Sequence, residues 1–259
     1  MHDILNRHPC FGAPKGIYGR IHLPIAPKCN ISCRYCDKKL SCSNDSYPGL
    51  AKKIIYPHEV LDYIKVHDNK ENNLQVIGIA GPGEPLYNEN TFEILQILKE
   101  TYPEKIKCLS TNGLLLSKEI SRLKMLDVQS ITVTINTLNP IIGEKIYKEM
   151  NNIGRFLELQ QQGAKMVVNN GIFLKINTVL IPEINGNEIR DIAKFAQKIG
   201  ASIMNIMPLI AHGEFSNMHS PTVDEIEEAR VLASCFVSQH TGCEQCRADA
   251  IGIPKCGRR

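Results

Sequence analysis

Three cysteines on one short segment have the clearest chemical spacing in this 259-residue chain. Cys29, Cys33 and Cys36 form the pattern Cys-x3-Cys-x2-Cys, directly after an apolar run that predicts a strand. Three thiolates on one loop can hold three irons of a [4Fe–4S] cube and leave the fourth iron open. The alternative is a zinc knuckle or an all-cysteine electron carrier, but a zinc ribbon normally shows paired Cys-x2-Cys motifs. The spacing therefore favours an iron–sulfur centre with one open coordination position.

Seven further cysteines exceed what that centre needs. A free cysteine in a strand or helix is often a small buried apolar residue, and we adopt that interpretation for Cys235, which falls on a predicted amphipathic helix. His22, taken alone, would be a hydrogen-bonded core histidine, whereas beside so many thiols it joins a set of soft ligands for one or two additional clusters. The candidate members of that set are Cys10, His22, Cys42, Cys108, Cys243 and Cys246.

Short β-branched runs alternate with amphipathic stretches along the chain. Strands are predicted at residues 21–26, 74–80, 106–110, 130–136, 172–180 and 202–207. Helices are predicted near residues 57–67, 91–101, 117–126, 140–162, 187–199 and 222–238, the fourth with a break around 150–154. This alternation predicts parallel strands with right-handed crossovers. The fold class is therefore α/β, a partial (β/α)6 TIM-like barrel with function at the carboxyl ends of its strands.

Both ends of the chain lack a periodic pattern but carry cysteines. We therefore divide the chain into an N-terminal extension with a cluster ligand (1–19), the barrel (20–238) and a cluster-ligating C-terminal tail (239–259). The formal charge is only +3 and the lysines are scattered, so no nucleic-acid partner is expected. No apolar run reaches the length of about 20 residues that a membrane span needs, and no signal peptide is recognisable. We expect a cytoplasmic protein, in which cysteines serve as metal ligands rather than disulfides.

Polar and glycine residues follow several predicted strands at the same face of the barrel. One alone is an ordinary turn residue, but together with the cysteine loop and the aromatic residue before its last cysteine they resemble the radical S-adenosylmethionine superfamily. The resemblance implies a [4Fe–4S] cluster whose open iron binds the amino and carboxylate groups of S-adenosylmethionine, and electron transfer that cleaves its C–S bond. It implies cofactor contacts at Tyr35, Gly81, Gly83, Glu84, Asn112, Asn136, Asn177 and Met207.

A more specific resemblance covers the chain from about residue 9 to residue 252. It is similar to the NifB family of nitrogenase cofactor biosynthesis proteins. The strings that carry this likeness are His8-Pro-Cys10, Arg20-Ile-His22, Cys29-Asn-Ile-Ser-Cys33-Arg-Tyr-Cys36, Gly78-Ile-Ala-Gly-Pro-Gly-Glu-Pro85, Leu109-Ser-Thr-Asn-Gly113, Asn205-Ile-Met-Pro-Leu209 and Gln245-Cys-Arg-Ala-Asp-Ala250. Generic radical enzymes share the central loop but not the flanking ligands.

The NifB resemblance implies a carbide synthase, a lyase-type cofactor maturase. Such an enzyme fuses two [4Fe–4S] clusters into an eight-iron precursor of the nitrogenase FeMo cofactor. One S-adenosylmethionine donates a methyl group, and a second yields the 5′-deoxyadenosyl radical that starts its conversion to carbide. A sulfite-derived sulfur completes the product. The implied partners are an iron–sulfur cluster donor, a reductant protein and a separate carrier that accepts the product, because no fused carrier domain follows the barrel.

The same resemblance implies roles residue by residue. Cys29, Cys33 and Cys36 hold the radical cluster. One substrate cluster takes His22, Cys42 and Cys108, and the other takes Cys10, Cys243 and Cys246. Asp45 stands where the family often carries Glu, as a transient ligand or proton acceptor, and Cys256 matches nothing in the family pattern and is interpreted as a bystander.

Two other functions remain open from the sequence. A radical enzyme acting on an organic substrate, such as the cyclase of molybdopterin synthesis, also places clusters at both ends of a partial barrel. A non-catalytic iron–sulfur scaffold or electron carrier would need no glycine-rich turn after the second strand and would not cleave S-adenosylmethionine.

Overall fold

The computed structural model describes residues 2–14, 16–36, 49–243 and 245–254. Its strands are β1 Gly19–Leu23, β2 Ser32–Cys33, β3 Leu74–Ile79, β4 Ile106–Thr111, β5 Val128–Thr134, β6 Tyr147–Lys148, β7 Phe173–Leu180, β8 Ile203–Pro208 and β9 Ile251–Gly252. Its α-helices are α1 His2–Arg7, α2 Val60–His67, α3 Asn90–Thr101, α4 Leu116–Met125, α5 Pro140–Ile146, α6 Ile153–Asn169, α7 Pro182–Asn185, α8 Ile189–Ile199 and α9 Val223–Ser234.

Six strands form one parallel sheet in chain order, β1-β3-β4-β5-β7-β8. Their residues are largely buried on both faces, as the apolar runs of a parallel sheet require. The apolar core lies between this sheet and the helices that cover it, which leaves the opposite face of the curved sheet for polar side chains. The predicted α/β partial (β/α)6 barrel is confirmed.

The C-terminal tail lies against the first strand of the barrel. β9 pairs antiparallel with β1, with Arg20 opposite Gly252 and Ile21 opposite Ile251. The backbone N–H of His22 donates to the carbonyl of Ala250, and that of Ala248 donates to the carbonyl of Leu50. An exposed sheet edge is thereby covered, and the tail cysteines are held beside the barrel. The division into segments 1–19, 20–238 and 239–259 stays a prediction.

Several predicted boundaries differ from the structure. The first strand is Gly19–Leu23 rather than 21–26, because its regular pairing with β3 ends at Leu23. Beyond that point an isolated bridge joins Ala26 to Pro82 in the loop after β3. The expected break in the long fourth helical stretch is confirmed: the side chain of Asn152 accepts from Arg155 N–H and begins a new helix, α6, which continues to Asn169 rather than ending at 162.

One expectation about the last helix is wrong. Both ends of the chain, which lack a periodic pattern, contain a short regular element, α1 in the N-terminal extension and β9 in the C-terminal tail. Cys235, expected to be buried, is exposed at the C-cap of α9, because the buried face of that helix uses Ile226, Ala229 and Ala233 instead. Within the described residues, no helix has the length and apolar character needed to cross a lipid bilayer.

Candidate functional site

The cysteine loop after β1 is fixed by backbone pairing with a distant part of the chain. Cys33 in β2 pairs with Tyr147 in β6, and the N–H of Arg34 donates to the carbonyl of Ile146. The carbonyl of Arg34 in turn accepts from the N–H of Glu214. Both neighbours of the loop come from other barrel units, so the positions of its cysteines depend on the complete fold.

A glycine-rich turn after β3 packs against the start of the cysteine loop. The N–H of Gly83 donates to the carbonyl of Ala26, and the N–H of Glu84 donates to the carbonyl of Lys28 at 2.9 Å. A Cβ atom on Gly83 would lie 2.2 Å from that Lys28 oxygen. Glycine is therefore required here for a close backbone contact within the chain.

Glu84 joins this turn to the end of β4. Its carboxylate accepts hydrogen bonds from the Leu86 N–H at 3.0 Å, the Thr111 hydroxyl at 2.6 Å and the Asn112 N–H at 2.7 Å. Burial raises the pKa of Glu84 to about 7, against the lowering effect of these three donors. Asn112 continues the connection, because its side-chain amide donates to the Asn30 side-chain oxygen at 2.7 Å. The Glu84 side chain therefore holds together the glycine-rich turn and the end of β4, which pack against the cysteine loop.

Asn136 organises the far side of the same loop. Its side-chain amide donates to the hydroxyl of Tyr35 at 2.8 Å and, at 3.3 Å, to that of Tyr147, while its oxygen accepts from the Val179 N–H at 2.9 Å. Burial raises the pKa of Tyr35 well above its ordinary value. Asn136 therefore fixes the aromatic residue of the loop through a fully buried amide.

One cavity of about 310 Å³ lies inside the barrel next to the cysteine loop. Of the predicted site residues, those that line it are Cys10, His22, Tyr35, Cys36, Cys108, Asn177, Met207, Cys243 and Cys246. Those that do not line it are Cys29, Cys33, Gly81, Gly83, Glu84, Asn112 and Asn136. The cavity therefore brings both chain termini, the cysteine loop and several strands to one place.

His22 and Cys108 face each other across a residue without a side chain. The parallel register aligns His22 in β1 with Gly78 in β3, and Gly78 with Cys108 in β4. A Cβ on Gly78 would lie 2.9 Å from the Cys108 sulfur and 3.1 Å from Cδ2 of His22. Gly78 therefore leaves room for two candidate ligands, His22 on one side of it and Cys108 on the other.

The ring of His22 has the tautomer that a metal ligand needs. Nδ1 lies 3.0 Å from the carbonyl oxygen of Arg247, and a carbonyl can only accept, so the proton is on Nδ1 and the lone pair is on Nε2. Burial lowers the pKa of His22 to about 4 and keeps the ring neutral. A histidine ligand typically donates its other N–H to a backbone carbonyl in this way.

Three thiols form a second group in the cavity. Cys10 is close enough to Cys243 and Cys246 for each to raise its pKa, in addition to the larger effect of burial. Arg20 donates from Nη2 to the sulfur of Cys246 at 2.9 Å and from Nη1 to the carbonyl of Gly252. Burial also raises the pKa of Cys108, to about 12. Metal binding to Cys10 or Cys108 must therefore release a proton.

Several residues that line the cavity were not among the sequence candidates. Those used in the argument below are His8, Arg20 and Lys175. Two of them belong to the strings His8-Pro-Cys10 and Arg20-Ile-His22, so their proximity to candidate ligands was a usable signal. Lys175 lies in the middle of β7, where its alternation with Asn177 indicates the inward face.

Two other candidates lie on neighbouring inward positions of the last strands. The side-chain amide of Asn177 donates to the sulfur of Met207 at 3.8 Å, and its oxygen accepts from Asn205 at 2.9 Å. Asn177 is inside β7 rather than at its end. The candidates Cys42 and Asp45, and the bystander Cys256, lie outside the described residues.

The donor set fits iron–sulfur clusters better than a mononuclear centre. In the described residues, no three His, Cys, Asp or Glu side chains are arranged to hold a single metal ion. A four-iron cluster contacts each ligand at a different iron atom, so its ligands stand apart around a cube. Thiols and a neutral imidazole distributed around one cavity match that arrangement.

Relatives of known name share this chain's sequence over nearly its whole length. It is 42% identical over 265 residues to the FeMo cofactor biosynthesis protein NifB of Methanocaldococcus infernus, covering 97% of this chain and 87% of that protein. It is 35% identical over 266 residues to the protein of the same name from Azotobacter vinelandii, covering 96% of this chain and 53% of that protein.

Family and structure comparisons agree with the fold. The Radical SAM superfamily model matches residues 23–196. Methylornithine synthase (PylB) superposes with a TM-score of 0.61 at 11% identity, covering 94% of this chain and 77% of that one. The hydrogenase maturase HydG from Carboxydothermus hydrogenoformans gives 0.58 at 16% identity, covering 86% and 52%. The chain therefore belongs to the radical S-adenosylmethionine superfamily and, within it, to the family of the FeMo cofactor biosynthesis protein NifB.

Proposed function

We propose that this chain fuses two [4Fe–4S] clusters, with insertion of a methyl-derived carbide and a sulfur, into the eight-iron precursor of the nitrogenase FeMo cofactor. In this role it is a carbide synthase whose substrate is itself iron and sulfur. The observation that carries the proposal is the cavity, in which five candidate ligands from both termini and two strands lie beside Cys36 of the cysteine loop.

The cysteine loop holds the resident cofactor in this proposal. A cluster on Cys29, Cys33 and Cys36 supplies the electron that cleaves the C–S bond of bound S-adenosylmethionine. Asn136 orients Tyr35 beside this loop, and Glu84 holds the glycine-rich turn and Asn112 against it. These hydrogen bonds fix the loop before a cofactor binds, and such supporting contacts hold a reactive centre in its productive geometry.

The geometry supports the proposed division of the substrate ligands. His22 and Cys108 meet across Gly78, and they are proposed to bind one cluster together with Cys42. Cys243 and Cys246 lie close enough to Cys10 to raise the pKa of its thiol, and the three are proposed to bind the other. A cluster that must leave is better held by mixed His/Cys ligation, because imidazole binds iron less tenaciously than thiolate.

In this proposal the N-terminal extension and the C-terminal tail together bind one substrate cluster. The extension contributes Cys10 and the tail contributes Cys243 and Cys246, while the barrel carries the radical cofactor. The proposed partners are an iron–sulfur cluster donor, a reductant protein and a carrier that accepts the eight-iron product. The proposed contacts of Gly81, Asn177 and Met207 with S-adenosylmethionine belong to the same picture.

Reconstitution and maturation assays test the function directly. Anaerobic reconstitution is expected to load three clusters, about twelve irons per chain. The loaded protein, given S-adenosylmethionine, a reductant and sulfite, is expected to mature cofactor-free nitrogenase. Fewer than about eight irons per chain with intact ligands would exclude three clusters and favour an enzyme acting on an organic substrate. Absence of 5′-deoxyadenosine after reduction would instead indicate a scaffold.

A further inference from the structure

The cavity contains more buried positive charge than its ligands explain. Arg20 is 5% exposed and Lys175 is 6% exposed, and both line the cavity. No Asp or Glu of the described residues lines it. Buried cationic side chains are normally paired with an anion. The interior of the barrel is therefore built to receive negative charge.

The two cations differ in how they are satisfied. Arg20 donates to a thiol and to a carbonyl, as described above, and thereby holds the tail. Lys175 makes one long hydrogen bond, 3.4 Å to the carbonyl of Cys10, and its ammonium lies 5.2 Å from the ring centre of Phe11. Within the described part of the chain it forms no ion pair. The ammonium of Lys175 therefore has the weaker contacts to the chain and is the charge that a ligand can approach.

Lys175 also occupies the point where the two ligand groups meet. Burial lowers the pKa of His8 and His22, and the charge of Lys175 lowers it further; the same charge opposes the burial that raises the pKa of Cys10 and Cys108. These side chains belong to the N-terminal extension, β1 and β4. A ligand bound to either group would therefore lie within the electrostatic reach of Lys175.

His8 provides a second donor in the same wall. Its Nδ1 accepts from the N–H of Cys10 at 3.2 Å, so the proton of the neutral ring is on Nε2. That Nε2 is buried and has no hydrogen-bond partner among the described residues, although a buried N–H normally has one. His8 is thus a donor, with the opposite tautomer to His22, and it cannot bind iron through Nε2 in this state.

We infer that Lys175 and His8 form an anion-binding donor pair whose ligand is the iron–sulfur cluster held beside Cys10, with its sulfide atoms as hydrogen-bond acceptors. This inference rests on the proposed function and adds a site to it. A cation and a hydrogen bond at a cluster sulfide stabilise the more negative, reduced state and raise the reduction potential. The low dielectric of the cavity strengthens both effects.

A redox titration of the reconstituted protein, followed by electron paramagnetic resonance, tests the pair. Lys175→Met is expected to load the same iron but to lower the midpoint potential of that cluster by about 59 mV, a tenfold change in a one-electron equilibrium. His8→Asn keeps an acceptor for the Cys10 N–H and removes the distal donor, so a smaller shift of the same sign is expected. Lys175→Arg should restore the wild-type potential. Lys165→Met, at an exposed position of α6, is the control.

Stability of the cluster-free protein gives a second readout. Removal of an unpaired buried cation should make apo Lys175→Met more resistant to urea than the wild type, and a less stable or unfolded variant would contradict the inference. Full iron loading with an unchanged potential would overturn the donor pair while leaving the proposed function intact. Wild-type loading of only about four irons would overturn both. Calorimetric binding of sulfite that Lys175→Met abolishes, with an unchanged potential, would reassign the pair to a small oxyanion and overturn the inference.

Discussion

Two regions of the barrel differ in how completely their polar groups are satisfied. At the strand ends beside the cysteine loop, Glu84, Asn112 and Asn136 each make two or more hydrogen bonds to the chain. In the cavity, Nε2 of His8 and Nε of Arg20 are buried and find no partner in the part of the chain that the structure describes. The three strand-end side chains are therefore bound within the chain, whereas these two cavity nitrogens are open to a ligand.

This difference matches two kinds of ligand. A resident cofactor benefits from surroundings that are rigid before it binds, because preorganised groups need no rearrangement. A substrate must enter and leave its site. A cavity with unsatisfied polar groups favours substrate binding, because the bound substrate satisfies those groups and offsets the cost of their burial. Unsatisfied polar atoms in a barrel interior are thus a guide to substrate rather than to cofactor.

The sharpest separation of the regions comes from cysteine substitutions. Cys33→Ala is expected to abolish cleavage of S-adenosylmethionine, because the radical cluster loses a ligand. Cys246→Ala should retain the cleavage but prevent formation of the eight-iron product, because only a substrate cluster loses a ligand. 5′-Deoxyadenosine release and nitrogenase maturation measure the two steps. Cys235→Ala, at an exposed position, is the control, and normal maturation by Cys246→Ala would show that the tail is wrongly assigned.

A single methyl group should damage the cavity and spare the strand-end region. Gly78→Ala introduces a Cβ at 2.9 Å from the Cys108 sulfur, which forces apart that sulfur and His22 and costs about 1–3 kcal/mol in overpacking. We expect loss of one substrate cluster, about four irons per chain, with cleavage of S-adenosylmethionine retained. Gly186→Ala, where a Cβ would meet nothing within 4 Å, is the matched control. Full iron content in Gly78→Ala would contradict the facing pair.

The contrast also explains what the sequence could predict. Alternating apolar runs were sufficient for the barrel, because parallel β/α units have few ways to pack. Cysteine spacing was sufficient for the loop, because its three ligands are adjacent in sequence. The pairing of His22 with Cys108 across Gly78 depends on strand register, which no local pattern encodes.

Residues that act through tertiary contacts were the hardest to predict. Lys175 alternates correctly for an inward position, but its importance is shown only by its distance from Cys10 and by a cavity lining without a carboxylate among the described residues. The tautomers of His8 and His22 depend on which backbone group each ring meets. Cys235 was expected to be buried from helical periodicity alone, but it falls at the end of α9, where periodicity no longer decides exposure.

Loss of the buried amide at the strand ends should reduce both stability and cofactor cleavage. Asn136→Ala removes the donor to Tyr35 and leaves the Val179 N–H buried without an acceptor. We expect a loss of about 3 kcal/mol in the free energy of unfolding, measured in urea on the apo protein. Tyr35→Phe removes one of these bonds and should cost about 1 kcal/mol. Equal losses in the two variants would show that Asn136 does not organise this region.

The pH dependence of stability reports on Glu84, whose carboxylate lies at the centre of the strand-end region. Its pKa is about 7 in the folded chain, against an ordinary value of 4.5. The folded state therefore binds the proton more tightly, so this contribution to stability is fully present below pH 4.5 and is lost as the pH rises through 7. Between about pH 5 and pH 8, apo wild type should lose roughly 2–3 kcal/mol relative to Glu84→Gln. Glu183→Gln removes an exposed carboxylate and should leave the pH dependence of the unfolding free energy as it is in the wild type. If the free energy of unfolding, measured with urea at each pH, changes equally with pH in wild type and Glu84→Gln, the three hydrogen bonds outweigh burial and keep Glu84 ionised throughout. The strand-end region would then hold a fixed negative charge opposite the positively charged cavity.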